Sequence, residues 1–161
     1  DGRFSHGGAP EGRAPWCHWE GRKLRSGSRA MDEPEFEFQK LEVYQRAMEL
    51  KALIDEILAQ LPAGNGDLLS QIKRHERSIR LNVAEGAGRH RPGGKAERYR
   101  SARGSANECA AALDEIRQFS LADRELTVRA LRLVHRIIAM LTRLIIRCET
   151  DPRWRPTRPG P

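Results

Sequence analysis

The chain is short of cysteine, short of aromatic residues and without a long apolar run, and each shortage removes a class of protein. Its three cysteines, Cys17, Cys109 and Cys148, are odd in number and far apart, which leaves no disulfide framework. Cys109 and Cys148 fall in apolar helical periodicity, where a thiol acts as a small hydrophobe, and a reducing cytoplasm suits this usage. The densest apolar stretch, residues 131–146, is interrupted by Arg132, His135, Arg136 and Arg143, too polar for a membrane span, and no signal-peptide apolar region opens the chain. Aromatics make up 6% of residues, and they form no RNA-recognition pair; zinc-finger spacing and a KH-type glycine loop are missing too. Cys17 and His18 supply half of a tetrahedral zinc site with no second pair at a suitable spacing.

Catalytic groups are equally scattered. His75, His90 and His135 have no readable Ser or Cys partner, and Glu56, Glu85 and Glu108 do not follow the diiron helix pattern. Gly86-Ala87-Gly88 follows a helix rather than a strand, and the GRHRPGGK stretch lacks the spacing of a phosphate loop. The expectation is a protein that is not an enzyme and carries no cofactor or metal.

What the chain has in quantity is charge, 32% of its 161 residues, with a formal net of +7. The distribution matters more than the total. Residues 1–30 hold six basic and three acidic groups, residues 31–151 twenty and nineteen, and residues 152–161 three and none. Within the near-neutral middle, residues 73–103 carry ten Lys or Arg against three Glu, a separation that can steer an anionic partner or align subunits.

Residues 1–30 are rich in Gly, Ser, Pro and Arg without apolar period and read as disordered; Met31 is a candidate natural start. Residues 1–35 are therefore expected to be a flexible or non-native leader, residues 36–148 a helical bundle, and residues 149–161 a Pro/Arg-rich flexible tail. Trp16 and Trp19 around Cys17, and Trp154 between arginines, are chance aromatics or short binding motifs. Four helices follow from apolar spacing at steps of three and four. The first runs from Pro34 or Glu37 to Leu61, with Tyr44, Ala47, Leu50, Ile54, Ile57 and Leu61 as its stripe, and Pro62, Gly64 and Gly66 end it. The second covers 67–86, with Asn65 or Asp67 as N-cap and Leu69, Ile72, Ile79 and Val83 inward; His75 and Glu76 interrupt it and are expected to meet water or a neighbouring subunit. A Gly/Pro turn at 87–94 leads to the third, 95–119, whose small residues between 102 and 112 permit close helix approach. The fourth, 123–148, follows Ala130, Val134, Ile137, Leu141, Leu144 and Cys148. Its extra apolar residues, Leu131, Leu133, Ile138 and Ile145, exceed one internal seam and suit oligomerisation. Arg129, Arg132, Arg136, Arg143 and Arg147 form a basic stripe on the same helix.

At SIRLNVAEGAGR and ARGSANE the chain resembles the four-helix bundle proteins encoded in intervening sequences of bacterial 23S ribosomal RNA genes. The similarity extends over residues 36–148. Phe38, Leu41, Tyr44 and Gln45 match the family's opening run, and Gln71, Ile72, Lys73 and Arg74 its Gln-Leu-Arg-Arg type element. Ser78 to Gly86 match its Ser-Ile-Pro-x-Asn-Ile-Ala-Glu-Gly signature, and Ala102 to Glu108 its Ala-x-Gly-Ser-x-x-Glu element. Arg80 stands where the family has Pro, which removes an expected kink, and His75 and Glu76 replace a small pair. The resemblance implies an all-α, antiparallel up-and-down four-helix bundle assembling as a cyclic homopentamer. It extends to the accessory protein of diversity-generating retroelements, a pentameric barrel whose basic surface partners a reverse transcriptase and nucleic acid.

Two layers of candidate residues result. Ser78, Asn82, Glu85, Gly86, Gly104, Ser105 and Glu108 form a structural signature, polar groups and glycines placed for two helices to approach and exchange hydrogen bonds. Lys73, Arg74, Arg77, Arg80, Arg89, Arg91, Arg98, Arg100 and Arg103 are candidate phosphate contacts, which a ring assembly would multiply by avidity. The expected function is a non-enzymatic oligomeric scaffold that binds RNA or DNA through phosphates. The alternative is a protein-interaction or accessory subunit without direct nucleic-acid binding.

Overall fold

The computed structural model describes residues 34–153. The expected leader with its Trp16-to-Trp19 group, and the tail from Trp154 onward, lie outside the described residues. A short 3-10 turn at Glu37–Lys40 precedes four helices: α1 (Glu42–Leu58), α2 (Gly66–Gly88), α3 (Pro92–Gln118) and α4 (Arg124–Glu149). Each helix packs on its two sequence or ring neighbours, α1 on α2 and α4, and α3 on α2 and α4, with no close backbone approach across either diagonal. Neighbours run antiparallel, as the ties from Ser105 to Ser78, Arg100 to Glu149, and Asp123 to Gln60 require. The fold is an all-α, up-and-down four-helix arrangement, and its short connections permit no other direction of return.

The apolar spacing accounts for the core. Leu50, Ile54 and Ile57 of α1, Ile72, Ile79 and Val83 of α2, Leu113 and Ile116 of α3, and Val134, Ile137 and Leu141 of α4 are all essentially without solvent contact. Each such side chain is worth about 1.5–3 kcal/mol of transfer from water. On α3, Ala102, Ala106 and Cys109 take the inward positions, and their small size lets this helix lie close to its neighbours. Gly104 has no part in that approach: a Cβ there would meet nothing within 4 Å. Burial pushes the Cys109 thiol up to about 12, with the nearby Glu76 carboxylate adding to it. Disulfide-exchange reagents at mildly alkaline pH are therefore expected to leave Cys109 unmodified in the folded chain and to modify it once denaturant is added, which mass mapping of labelled peptides will show. Labelling of Cys109 at the same rate with and without denaturant would contradict this placement.

Helix ends differ from the sequence expectation in instructive ways. The first helix does not begin at Pro34 or Glu37, because Leu41 is extended (φ −74°, ψ 123°) between the 3-10 turn and α1. An aromatic cluster organises this entry: Phe36 stacks on Phe38 at 5.6 Å between ring centroids, and Phe38 meets Tyr44 edge-on at 4.9 Å. Asn65 occupies the N-cap of α2 without capping it, since its side-chain amide donates instead to the Pro62 carbonyl at 3.0 Å. The turn expected at 87–94 shrinks to Arg89, His90 and Arg91, because Pro92 is the first residue of α3, where a missing N–H costs nothing. Asp123 caps α4 by accepting from the Leu126 amide at 2.7 Å. Between α3 and α4, Ser120 takes a left-handed φ of 52° while the Leu121 amide reaches back to the Ile116 carbonyl at 3.0 Å, a Schellman closure with serine in the usual glycine position. At the other end, Glu149 is still helical, so the helix outlasts its expected end by one residue.

Candidate nucleic-acid interface

The signature residues sit along the seam between α2 and α3. As one residue number rises the other falls, as antiparallel helices require: His75 Nδ1 lies 2.8 Å from Glu108 Oε2, the Ser105 hydroxyl donates to the Ser78 hydroxyl at 2.8 Å, and Arg98 Nε lies 3.3 Å from Glu85 Oε1. Asn82 stays on its own helix, its amide donating to the Ser78 carbonyl at 2.9 Å and hydroxyl at 3.1 Å. Ser78 thus accepts from both helices. At Gly86 the two helices lie too close for a side chain: a Cβ there would lie 2.6 Å from Cε1 and 2.9 Å from Cδ1 of Tyr99. Gly104, also in the signature, makes no comparable contact. The seam therefore joins Ser78, Asn82, Glu85, Gly86, Ser105 and Glu108, and adds His75, Arg98 and Tyr99.

His75 keeps a little contact with water, and Glu76 is buried away from it. His75 crosses the seam to Glu108, and Glu76 is only 5% exposed. Its carboxylate accepts from Arg80 one turn later through both oxygens, Arg80 Nη2 to Oε2 at 3.0 Å. This bond, ahead of the opposing effect of burial, holds the Arg80 guanidinium above its ordinary value. The spacing of four residues along one helix makes the pair possible; burial of the carboxylate makes it obligatory, because an unpaired buried charge is costly. The Glu76–Arg80 pair is the part of this site that the sequence reading missed, and the i,i+4 spacing of opposite charges was its available signal. Arg80, one turn along α2, is thus the partner that the buried Glu76 requires.

The nine candidate phosphate contacts separate into two groups. Arg80 is held by Glu76, Arg89 and Arg98 share Glu85, and Arg100 reaches Glu149 on α4. The Glu85 carboxyl is held below its usual range, chiefly by the Arg89 hydrogen bond and then by the Arg98 charge. Among the described residues, Lys73, Arg74, Arg77, Arg91 and Arg103 have no carboxylate at ion-pairing distance. Lys73, Arg74 and Arg77 line an open groove of about 380 Å³ on α2 together with Ser78, Leu81 and Asn82. All three cations are exposed, and Leu81 is 57% exposed between them and the helix end. On α4, Arg129, Arg132, Arg143 and Arg147 are exposed, while Arg136 pairs with Glu42 at 2.8 Å. Among the described residues no cluster of three or more His, Cys, Asp or Glu could hold a metal, and no helix is long and apolar enough to cross a membrane.

The family model for the 23S rRNA-intervening sequence protein matches residues 39–143, from the 3-10 turn to the last third of α4. The chain belongs to this family. No curated protein matches it significantly. For a 23S rRNA-intervening sequence protein, the matched region takes in all of α1, α2 and α3, so the α2–α3 seam and the open groove both lie inside the family domain. The last turns of α4 and the Asp151–Arg153 ion pair lie beyond it.

Proposed function

We propose that the chain is a non-enzymatic, self-associating helical scaffold that binds RNA or DNA through phosphate contacts. The observation that carries this reading is that Lys73, Arg74 and Arg77 stand on one exposed groove of α2 without a carboxylate partner among the described residues, as do Arg91 and Arg103 elsewhere. Cations without an internal carboxylate are the ones whose counterions phosphates displace, whereas Arg80, Arg89, Arg98 and Arg100 are already occupied. The groove is lined by Lys73, Arg74, Arg77, Ser78, Leu81 and Asn82, with no aromatic side chain on which a base could stack, so binding is expected to run through phosphates and to be independent of sequence. The resemblance to the accessory protein of diversity-generating retroelements supports the same partner class, and a homopentamer would repeat the groove around a ring, adding avidity. The wide apolar flank of α4, where Leu131, Leu133, Ile138 and Leu144 are only partly covered and Ile146 is exposed, supplies a surface for that self-association. The use of Cys109 and Cys148 as free thiols within helices fits a cytoplasmic location.

Substituting Lys73, Arg74 and Arg77 together by Ser is expected to leave the particle mass unchanged and to lower the slope of log affinity against log salt by about 0.7 per lost single-strand contact, or about 0.9 for duplex DNA. Gel-shift titrations at several salt concentrations, with light scattering for mass, read both. An unchanged slope would move the site to the α4 arginines. No shift at any salt with the wild-type chain would instead favour an accessory subunit whose groove, with the exposed Leu81 beside its cations, meets an acidic protein.

A further inference from the structure

At the end of the bundle where α2 passes into α3 and α4 runs out, a half-enclosed cavity of about 270 Å³ is lined by His90, Lys95, Tyr99, Arg147 and Cys148 together with Asp151 and Arg153. It is separate from the α2 groove and shares no residue with it. Its charges are not cancelled internally. Asp151 is bound by Arg153 at 2.8 Å, and the hydrogen bonds from Arg153 hold its carboxyl down at about 2, so this pair contributes no net charge at neutral pH. Glu149 nearby is held by Arg100. Among the described residues, Lys95 donates to the neutral Ala87 carbonyl at 3.2 Å and has no carboxylate partner, and neither has Arg147. Two uncancelled cations therefore face the cavity, and the positive end of the 27-residue α3, which begins at its wall, adds to them.

Tyr99 supplies the independent observation. The residue is 4% exposed, with its ring edge set against Gly86, yet its hydroxyl has no hydrogen-bond partner among the described residues. Among the described residues, the fully covered side-chain atoms without a hydrogen bond are Arg46 Nε and Arg98 Nε, each of which still lies within ion-pairing distance of a carboxylate. The Tyr99 oxygen is not one of them, and the Tyr99 side chain lines the cavity. A phenol so nearly buried ordinarily finds a partner. Lys, Arg and a phenolic O–H present donors, and the carboxylate on the wall is already engaged; the complement is an anion rich in acceptors. The cavity is smaller than the roughly 300–1,000 Å³ of drug-sized sites, which excludes a nucleotide chain in its depth and leaves room for one tetrahedral group.

We propose that this cavity binds a phosphate monoester, its charge held by Lys95 and Arg147 and one of its oxygens accepting the Tyr99 O–H. Two cations match a group that carries a charge of about −1.5 to −2 at neutral pH better than they match an internal phosphodiester with a single charge. The monoester could come from the terminal phosphate of a nucleic-acid strand, a source that rests on the function proposed above, or from a free phosphorylated small molecule, which does not.

The test uses the full chain and two probes. Inorganic phosphate, titrated by calorimetry at low salt, is expected to bind the wild-type protein. Tyr99→Phe, which keeps the ring on Gly86, is expected to weaken it about tenfold, the size of one hydrogen bond to a charged group, and Lys95→Gln with Arg147→Gln to abolish it. Circular dichroism confirms that each variant is folded. Phosphate binding that is missing in the wild type, or equal in all three proteins, overturns the site. A short RNA with a 5′-phosphate, compared with its 5′-hydroxyl counterpart, then identifies the source: a preference for the phosphorylated strand that disappears in Tyr99→Phe assigns the strand end, and equal affinity with phosphate binding intact assigns a free monoester. Loss of all RNA binding with phosphate binding retained removes the nucleic-acid reading and leaves the cavity standing.

Discussion

Replacing Arg80 by Ala is expected to destabilise the bundle by about 3–5 kcal/mol, the range for removing one partner of a buried ion pair. The cost comes from Glu76, which is 5% exposed and loses the two bonds that Arg80 gives it. Since a fifth of the Arg80 side chain remains in contact with water, the lower end of that range is the better expectation: water can partly reach the orphaned carboxylate. Urea unfolding followed by circular dichroism measures the change. The cost lies in the unpaired charge and not in Arg80 as such, so the double substitution Glu76→Leu with Arg80→Leu is expected to recover most of the loss, because apolar replacements of buried pairs are often neutral or better. A single Arg80→Ala variant within about 0.5 kcal/mol of wild type, the ordinary scatter of surface substitutions, would show that Glu76 is satisfied some other way. The same reasoning governs how binding experiments are read. A nucleic-acid defect in an Arg80 variant reports on the α2 interior, whereas Lys73, Arg74 and Arg77 can be removed without orphaning any carboxylate.

Gly86→Ala is expected to cost about 1–3 kcal/mol, although alanine is the better helix former by nearly 1 kcal/mol. The new Cβ would stand 2.6 Å from Tyr99 Cε1 and 2.9 Å from Cδ1, and a ring that is itself almost wholly buried has little room to retreat. Either α2 and α3 move apart at this crossing or Tyr99 turns out of its position, and both lose packing. A double-mutant cycle separates this clash from any intrinsic effect of the residue: with Tyr99→Ala already made, Gly86→Ala is expected to be neutral or stabilising, a coupling of at least about 1 kcal/mol. Additive effects would mean that Gly86 is not held by Tyr99. Because Tyr99 also lines the cavity at the bundle end, Gly86→Ala is further expected to weaken phosphate binding there even where the protein stays folded.

These two positions show how the family signature works. Ser78, Gly86, Ser105 and Glu108 read in the sequence as small or polar groups suited to a close helix crossing, and three of their contacts, Ser78 with Ser105, Gly86 with Tyr99 and Glu108 with His75, fall on the α2–α3 seam. Hydrogen bonds between side chains of fixed length act as a ruler on the register of two helices, which apolar contact alone allows to slide. Gly104 lies in the same signature and is exposed with open space around it; nothing in the structure explains it.

The sequence by itself determined the four helices, their order and most of their inward faces, though Leu68 and not Leu69 is buried on α2, and Ile145 belongs to the core. Apolar periodicity is a local property: Ile72, Ile79 and Val83, or Val134, Ile137 and Leu141, lie on one face of any α-helix whatever surrounds it. It also determined the excess of positive charge between residues 73 and 103, because charge is carried by residue type. Only the tertiary structure decided which of those charges are free. Arg100 is neutralised by Glu149, forty-nine positions away on α4, and no window of sequence contains both. Arg80 and Glu76 were adjacent enough to be paired on paper, but the depth at which the carboxylate lies depends on α1 and α3 closing over it. Helix boundaries were left open for a related reason: Asn65 could cap α2 or bond to Pro62, and Pro92 could end a turn or begin a helix, until the path of the neighbouring chain fixed one choice. The cavity at the bundle end belongs wholly to this second kind of information, since Lys95, Tyr99 and Arg147 come together only when α4 returns beside α3.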